Sequence, residues 1–357
     1  MNSRISNRKI RVLVVDDSAL MRRIIADILN SDARIEVIDT ARNGIEGIEK
    51  VRSLKPDVVT LDVEMPFKSG IEALEEIMKS MPTPVIMLSS LTQEGAQITQ
   101  KAFSLGCVDC VGKPSGHISL NLSEIGAEII EKVVVASTAN IKRAKISSEF
   151  GSNISPIGAS FHIHKKKEVL VIGASTGGPL ALQQVISKIP ANFPAPIAIV
   201  QHMPPNFTAS FAKRLDSISQ LKVVEGFDGL EISNGMAVIA PSGKHMLLKK
   251  KKDGIFCSLS DAPPILSVKP AANILFLSAA NEFDGGVVCV ILTGMGRDGT
   301  DGAIELRKKG AHIIAESQET CIIYGMPKSV IEAGVVDQVL PLQDIAGAMI
   351  KSVGGTV

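Results

Sequence analysis

The chain has 357 residues, 45% hydrophobic and 21% charged, with a net charge of +1. That balance suits a globular protein of two or more domains and excludes a broad single-sign face for nucleic acid or membrane. It has no Trp, one Tyr and eleven Phe, too few aromatics for the stacking platforms of single-strand nucleic-acid binders.

Met1–Lys9 is polar and basic, with no apolar stretch of signal-peptide length behind it. Nowhere do about 18 apolar residues run together, so no membrane insertion is expected. The five scattered cysteines read as reduced, buried thiols of a cytoplasmic protein. The basic runs Lys165–Lys167 and Lys249–Lys252 read as solvated surface.

The first half alternates strand-like and helical patterns. Arg11–Val15 is an apolar strand candidate, followed by Leu20, Met21, Ile24, Ile25, Ile28 and Leu29 at helical spacing behind a Ser18 cap. Then come Ile35–Ile38, a helix over Gly44–Leu54, Val58–Leu61, a helix over Gly70–Lys79, Val85–Leu88, a helix near Gly95–Leu105, and Cys107–Val111. A last helical pattern holds Ile125, Ile129 and Val133. Five strand–helix units predict a parallel sheet covered on both faces. Cys107 and Cys110 form a C-x-x-C, but on a strand they face opposite sides, which argues against a redox or metal pair.

Near residues 136–166 the periodicity stops in a segment rich in Ser, Lys, His and Gly, which reads as a linker between a domain at 9–135 and one at 167–357. The second domain offers strands at Val169–Ile172, Ile197–Val200, Leu221–Val224, Met236–Ala240, Val287–Leu292, His312–Ala315 and Val336–Leu340. Within Met246–Leu259, Asp253-Gly254 suggests a hairpin with a type I′ turn. The expected fold is therefore α/β, with two doubly wound parallel-sheet domains and a hairpin insertion in the second.

Ligands of open parallel sheets bind at the carboxyl ends of the strands. In the first domain those ends carry Asp16 and Asp17, Asp62, Ser89, and Lys113-Pro114. Clustered carboxylates suit Mg²⁺, and one of them could attack a phosphoryl group to form an aspartyl phosphate. Ser89 could hydrogen-bond the phosphoryl oxygens and Lys113 could pair with them. Val15–Ser18, Leu61–Pro66, Ser89 and Lys113-Pro114 resemble the receiver domain of bacterial response regulators. The resemblance implies Asp62 as phosphoacceptor and Mg²⁺ held by Asp17, Asp62 and the Glu64 carbonyl, with Asp16 nearby. It also implies a histidine kinase as phosphodonor. Cys110 stands where many receivers carry an aromatic switch residue.

In the second domain, Gly173-Ala174-Ser175-Thr176-Gly177 follows a strand with nucleophile-elbow spacing and leads into a helical stretch. The Thr176 N–H is a natural oxyanion donor there. A glycine-rich turn also serves phosphate binding, but a dinucleotide fingerprint needs Gly at Ser175 and a P-loop needs Gly-Lys-Ser/Thr. Two further strands end at Gln201-His202 and at Thr293–Gly299, so Ser175, His202 and Asp298 could meet as nucleophile, base and orienter. Asp301 is the nearest rival to Asp298. The chain order Ser, His, Asp differs from the Ser, Asp, His order of α/β-hydrolases.

Ile172–Gly178, Gln201–Thr208 with Ser210–Leu215, Gly294–Gly299 and Tyr324–Pro327 together resemble the chemotaxis-type protein-glutamate methylesterases. The resemblance implies hydrolysis of glutamate γ-methyl esters on chemoreceptor cytoplasmic helices, with glutamine deamidation by the same triad. It implies no cofactor for the hydrolase, and the Met295 N–H as a second oxyanion donor. Joining a phosphorylation site to a hydrolase implies that the first domain governs access to Ser175. The competing readings are a receiver-controlled binding protein without hydrolase activity and a nucleotide-binding regulator using the glycine turn.

Overall fold

A computed structural model of the chain describes residues 8–90, 92–113, 122–139, 141 and 168–354. Its contacts divide into two units, Met1–Ile141 and Lys142–Val357. Most of the expected linker lies outside the described residues, as do Pro114, His117, His162 and His164.

In the first unit, five strands are β1 (Ile10–Val15), β2 (Ile35–Ala41), β3 (Val58–Asp62), β4 (Val85–Ser89) and β5 (Asp109–Gly112). They pair in parallel in the order β2-β1-β3-β4-β5. Helices Ala19–Asn30, Gly44–Leu54, Gly70–Ser80, Gln93–Ser104 and Leu122–Ala136 follow the strands in turn. Their starts are fixed by local chemistry: Ser18 accepts from the Met21 N–H, and Ser69 and Glu72 form a reciprocal capping box.

The predicted apolar face of the first helix is narrower than its sequence pattern. Ile25 and Leu29 are buried, whereas Leu20 is 57% exposed, because it lies in the first turn past the carboxyl end of β1. The strand read at Cys107 begins only at Asp109, and Cys107 and Cys110 are both buried free thiols that burial pushes up.

The second unit is built on β6 (Val169–Ala174), β7 (Ile197–Gln201), β8 (Lys222–Glu225), β10 (Met236–Ile239), β13 (Val287–Ile291), β14 (His312–Glu316) and β15 (Gln338–Leu340). They form a parallel sheet in the order β15-β14-β13-β6-β7-β10-β8. The strands read as continuous apolar runs because both faces are covered. Val169 and Val171 enter one core, and Leu170 and Ile172 enter the other.

A separate antiparallel sheet joins β9 (Glu231–Ile232) to the hairpin β11 (His245–Lys251) and β12 (Gly254–Ser260). The hairpin is where its sequence places it, but its turn is not type I′. Lys251 pairs with Gly254, so the two turn residues are Lys252 and Asp253, and neither Asp253 nor Gly254 has a positive φ. The register of the alternating Met246, Leu248 and Cys257, all buried, overrides the local preference of Asp-Gly.

The two parallel sheets share one consequence. Chain direction across each reverses beside its first strand, at β1/β3 in the first unit and at β6/β13 in the second. Loops leaving the carboxyl ends there part company and open a crevice. The candidate residues gather at these two places.

Candidate active site

At the second crevice, Ser175 directly follows β6 and sits in the turn before the helix Gly178–Ile186. Gly177 takes φ +79°, and a Cβ there would lie 2.7 Å from the Ile322 Cβ, so glycine is required on both counts. Gly294 matters for another reason: a Cβ on it would meet Met326 Sδ at 2.5 Å and Ser175 Cβ at 2.8 Å. Its lack of a side chain lets the loop after β13 lie against the serine. Met295 is the next residue of that loop.

His202 follows β7, and its N–H donates to the Ala174 carbonyl at 3.1 Å. The imidazole Nδ1 faces Ser175 Oγ at 3.1 Å, and Nε2 faces Asp298 Oδ2 at 2.8 Å. Asp298 is 3% exposed. Its Oδ2 also accepts the Ala272 N–H at 2.6 Å, while Oδ1 accepts the N–H groups of Asn273 at 3.0 Å and Gly299 at 2.9 Å. Ala272 and Asn273 open the helix Ala272–Glu282, whose first amides have no intrahelical acceptors and whose positive dipole end favours an anion. Burial alone would raise this carboxyl, but the hydrogen bond with His202 and the two helix amides hold it below the usual range. Asp298 therefore stays ionised and fixes the proton on Nε2. The Nδ1 lone pair is left turned to the serine hydroxyl.

Asp301, the rival, is exposed and paired with Arg297. His245 is fully buried and occupied on both nitrogens, by the Pro263 carbonyl and the Ala271 N–H. His312 opens β14, at the opposite edge of the sheet, and pairs with Asp337.

Three further residues, Ala272, Asn273 and Gln201, contribute to the site without having been nominated for it. The Ala272 and Asn273 amides reach Asp298 from a helix distant in sequence, and nothing local signals them. Gln201 does carry a signal, a polar residue closing an apolar strand. Its Nε2 donates to the carbonyls of both Ser175 and His202, each at 2.9 Å.

In the first unit, Asp16 is fully buried, Asp62 is 3% exposed and Asp17 is open to solvent. Lys113 Nζ reaches Asp16 Oδ2 at 2.8 Å and Asp62 Oδ1 at 2.7 Å. Burial pushes the Asp62 carboxyl up to about 6, against the pull of Lys113 and with the push of Asp16. Asp16, Asp17 and Asp62 each present an oxygen, all within 4.8 Å of one another. This all-oxygen set, buried on one side and open on the other, fits a Mg²⁺ ion that keeps part of its water shell. Glu64 lies just beyond; its N–H approaches Asp62 Oδ1 at 3.4 Å. Ser89 is not turned to the carboxylates: its hydroxyl donates to the Gly95 carbonyl at 3.2 Å.

Comparison with known proteins decides the family. The model for the response regulator receiver domain matches residues 12–122, and that for the CheB methylesterase matches residues 170–349. The chain belongs to the CheB methylesterase family. A CheB-family relative from Thermotoga maritima, named protein-glutamate methylesterase/protein-glutamine glutaminase, is 46% identical over 98% of this chain and 100% of its own. One of the same name from Pyrococcus abyssi is 45% identical over 98% of this chain and 95% of its own. The crystal structure of the Thermotoga maritima CheB methylesterase catalytic domain superposes with a TM-score of 0.51 and 46% identity, covering 52% of this chain and 99% of that one. Among the described residues no helix is long and apolar enough to cross a membrane.

Proposed function

We propose that the chain hydrolyses glutamate γ-methyl esters on the cytoplasmic helices of chemoreceptors, releasing methanol, and deamidates receptor glutamines at the same centre. Phosphorylation of Asp62 by a histidine kinase raises the rate. The observation that carries this reading is the unbroken line from Ser175 Oγ through His202 to Asp298, 3.1 and 2.8 Å. The relatives' shared name supports the substrate.

Ser175 Oγ attacks the ester carbonyl while His202 Nδ1 takes the hydroxyl proton. Asp298 holds Nε2–H and stabilises the imidazolium. The N–H groups of Thr176 and Met295 receive the oxyanion. The tetrahedral adduct collapses, and methoxide leaves as methanol with the proton from His202. Water, deprotonated by His202, then cleaves the glutamyl-serine ester to restore Ser175 and release the glutamate carboxylate. A glutamine side chain follows the same path and loses ammonia.

In the receiver, Asp62 is the phosphoacceptor. Asp16, Asp17 and Asp62, with the Glu64 carbonyl, would hold Mg²⁺, which neutralises charge on the phosphoryl group. Lys113 pairs with the phosphoryl oxygens, and Ser89 bonds them once its hydroxyl leaves the Gly95 carbonyl.

The reading is tested by hydrolysing a methylated receptor in water enriched in heavy oxygen. The label is expected in the new glutamate carboxylate and not in methanol, with Ser175→Ala inactive. Label in the methanol, or a Ser175→Ala rate equal to wild type, would overturn it.

A further inference from the structure

Below Ser175 lies a polar cluster that takes no part in the steps above. Thr293, just past β13, is 1% exposed, and Glu316, the last residue of β14, is fully buried. The Thr293 carbonyl accepts the Ser175 N–H at 3.1 Å. The Thr293 hydroxyl lies 3.0 Å from the Thr176 carbonyl and 3.2 Å from the Ile323 carbonyl, and accepts the Ile323 N–H at 2.9 Å. One residue thus grips the peptides on either side of the Ser175–Thr176 unit.

That unit is held from a third direction. Its carbonyl, on Ser175, accepts from Gln201 Nε2 at 2.9 Å and from the Gly178 N–H at 2.7 Å. In a trans peptide the N–H points opposite to the C=O. The Thr176 N–H is therefore aimed away from Gln201 and Gly178. Met295, the other oxyanion donor of the proposed reaction, is two residues beyond Thr293 in the same loop.

Thr293 is itself anchored. Its N–H donates to Glu316 Oε2 at 2.8 Å, and the Thr320 hydroxyl donates to Glu316 Oε1 at 2.9 Å. Thr320 in turn accepts the Leu342 N–H at 3.0 Å. A small cavity separates Glu316 from Gly177, and its other lining residues are uncharged. A carboxyl buried among neutral groups is costly to retain. Its hydrogen bond from the Thr293 N–H, in the support of the serine turn, gives it a use.

We infer that Thr293, seated by Glu316, is a positioning residue for hydrolysis: it fixes the Ser175–Thr176 peptide and the start of the Met295 loop so that both N–H groups face the developing oxyanion. The inference rests on the proposed serine mechanism. A group that aims transition-state donors, without touching substrate, acts on kcat rather than on KM.

The test measures methanol release, kcat and KM, together with the melting temperature, on full-length variants. Thr293→Val, which keeps the shape and removes the hydroxyl, is expected to lose at least about tenfold in kcat with KM within about twofold. Thr293→Ser restores the hydroxyl and is expected to stay within about threefold of wild type. Should Thr293→Val not fold, Glu316 supplies the same contrast: Glu316→Gln keeps an acceptor for the Thr293 N–H and most of kcat, and Glu316→Leu loses about tenfold. A wild-type kcat in Thr293→Val or Glu316→Leu, equal losses in Val and Ser, or a loss carried by KM would overturn the inference. Ser175→Ala separates the two levels. If it is inactive while Thr293→Val is normal, only the positioning role falls. If it is fully active, the serine mechanism falls too.

Discussion

Asp62 and Asp298 are equally buried, each 3% exposed at the carboxyl edge of a parallel sheet, yet their acidities move in opposite directions. Burial pushes Asp62 up to about 6, against the single cation Lys113 that it shares with Asp16. Asp298 meets the same burial but receives four donors: His202, Ala272, Asn273 and Gly299. Donors and neighbouring charge, not depth, separate the two: Asp298 has more donors, and the Asp16 carboxylate beside Asp62 pushes it further up. A carboxylate with few donors keeps lone pairs for a metal ion and a phosphoryl group. A fully donated one is a fixed anion that can only orient its neighbour.

The largest effect expected from this contrast is at Asp298. Asp298→Asn should lower kcat for methanol release by about 10⁴, because the amide no longer holds the proton on the far nitrogen of His202. Phosphorylation of the receiver should be unchanged in it, as read by uptake of the phosphoryl group from a small acyl phosphate. Asp62→Asn should show the mirror image, with no phosphoryl uptake, no stimulation by phosphodonor, and an unstimulated rate within about twofold of wild type. Losses of both functions in either variant would break the separation of roles.

Gln201→Leu should cost about tenfold in kcat, since the His202 carbonyl loses its side-chain donor and the Ser175 carbonyl keeps only the Gly178 N–H. Acidity gives a smaller, signed effect. Asp62 binds its proton more tightly folded than unfolded, so its stabilising contribution is present at low pH and is lost as pH rises through about 6. Thermal melts of Asp62→Asn should lack that fall, leaving it more stable than wild type at neutral pH by roughly 1–3 kcal/mol. Asp298 works the other way: its contribution is present above the ordinary carboxylate range and is lost as pH falls through its lowered value. The smallest effect is at Asp301. Asp301→Asn should leave kcat within about twofold, because that side chain is exposed and pairs with Arg297.

The sheets were legible in the sequence because buried parallel strands read as apolar runs, and Ser175, His202 and Asp298 could be nominated because all three follow such runs. What was not legible depends on groups distant in the chain. The Ala272 and Asn273 amides reach Asp298 only once one helix start lies beside the loop after β13. The turn at Lys252-Asp253 is set by the pairing of Lys251 with Gly254 rather than by the Asp-Gly dipeptide. The short strand Glu231–Ile232 has no periodicity of its own and exists as the partner of Ile255 and Phe256. Ser89 shows a further limit. Its place at a strand end was readable, but the direction of its hydroxyl, toward Gly95, is a tertiary choice.

The most direct measurement is methanol release from a methylated chemoreceptor by the wild-type chain, Ser175→Ala and Asp62→Asn, each with and without a small acyl phosphate. The account predicts release by wild type that rises with the phosphodonor, none from Ser175→Ala under either condition, and an unresponsive basal rate from Asp62→Asn. Undiminished release by Ser175→Ala, or full stimulation of Asp62→Asn, would contradict it.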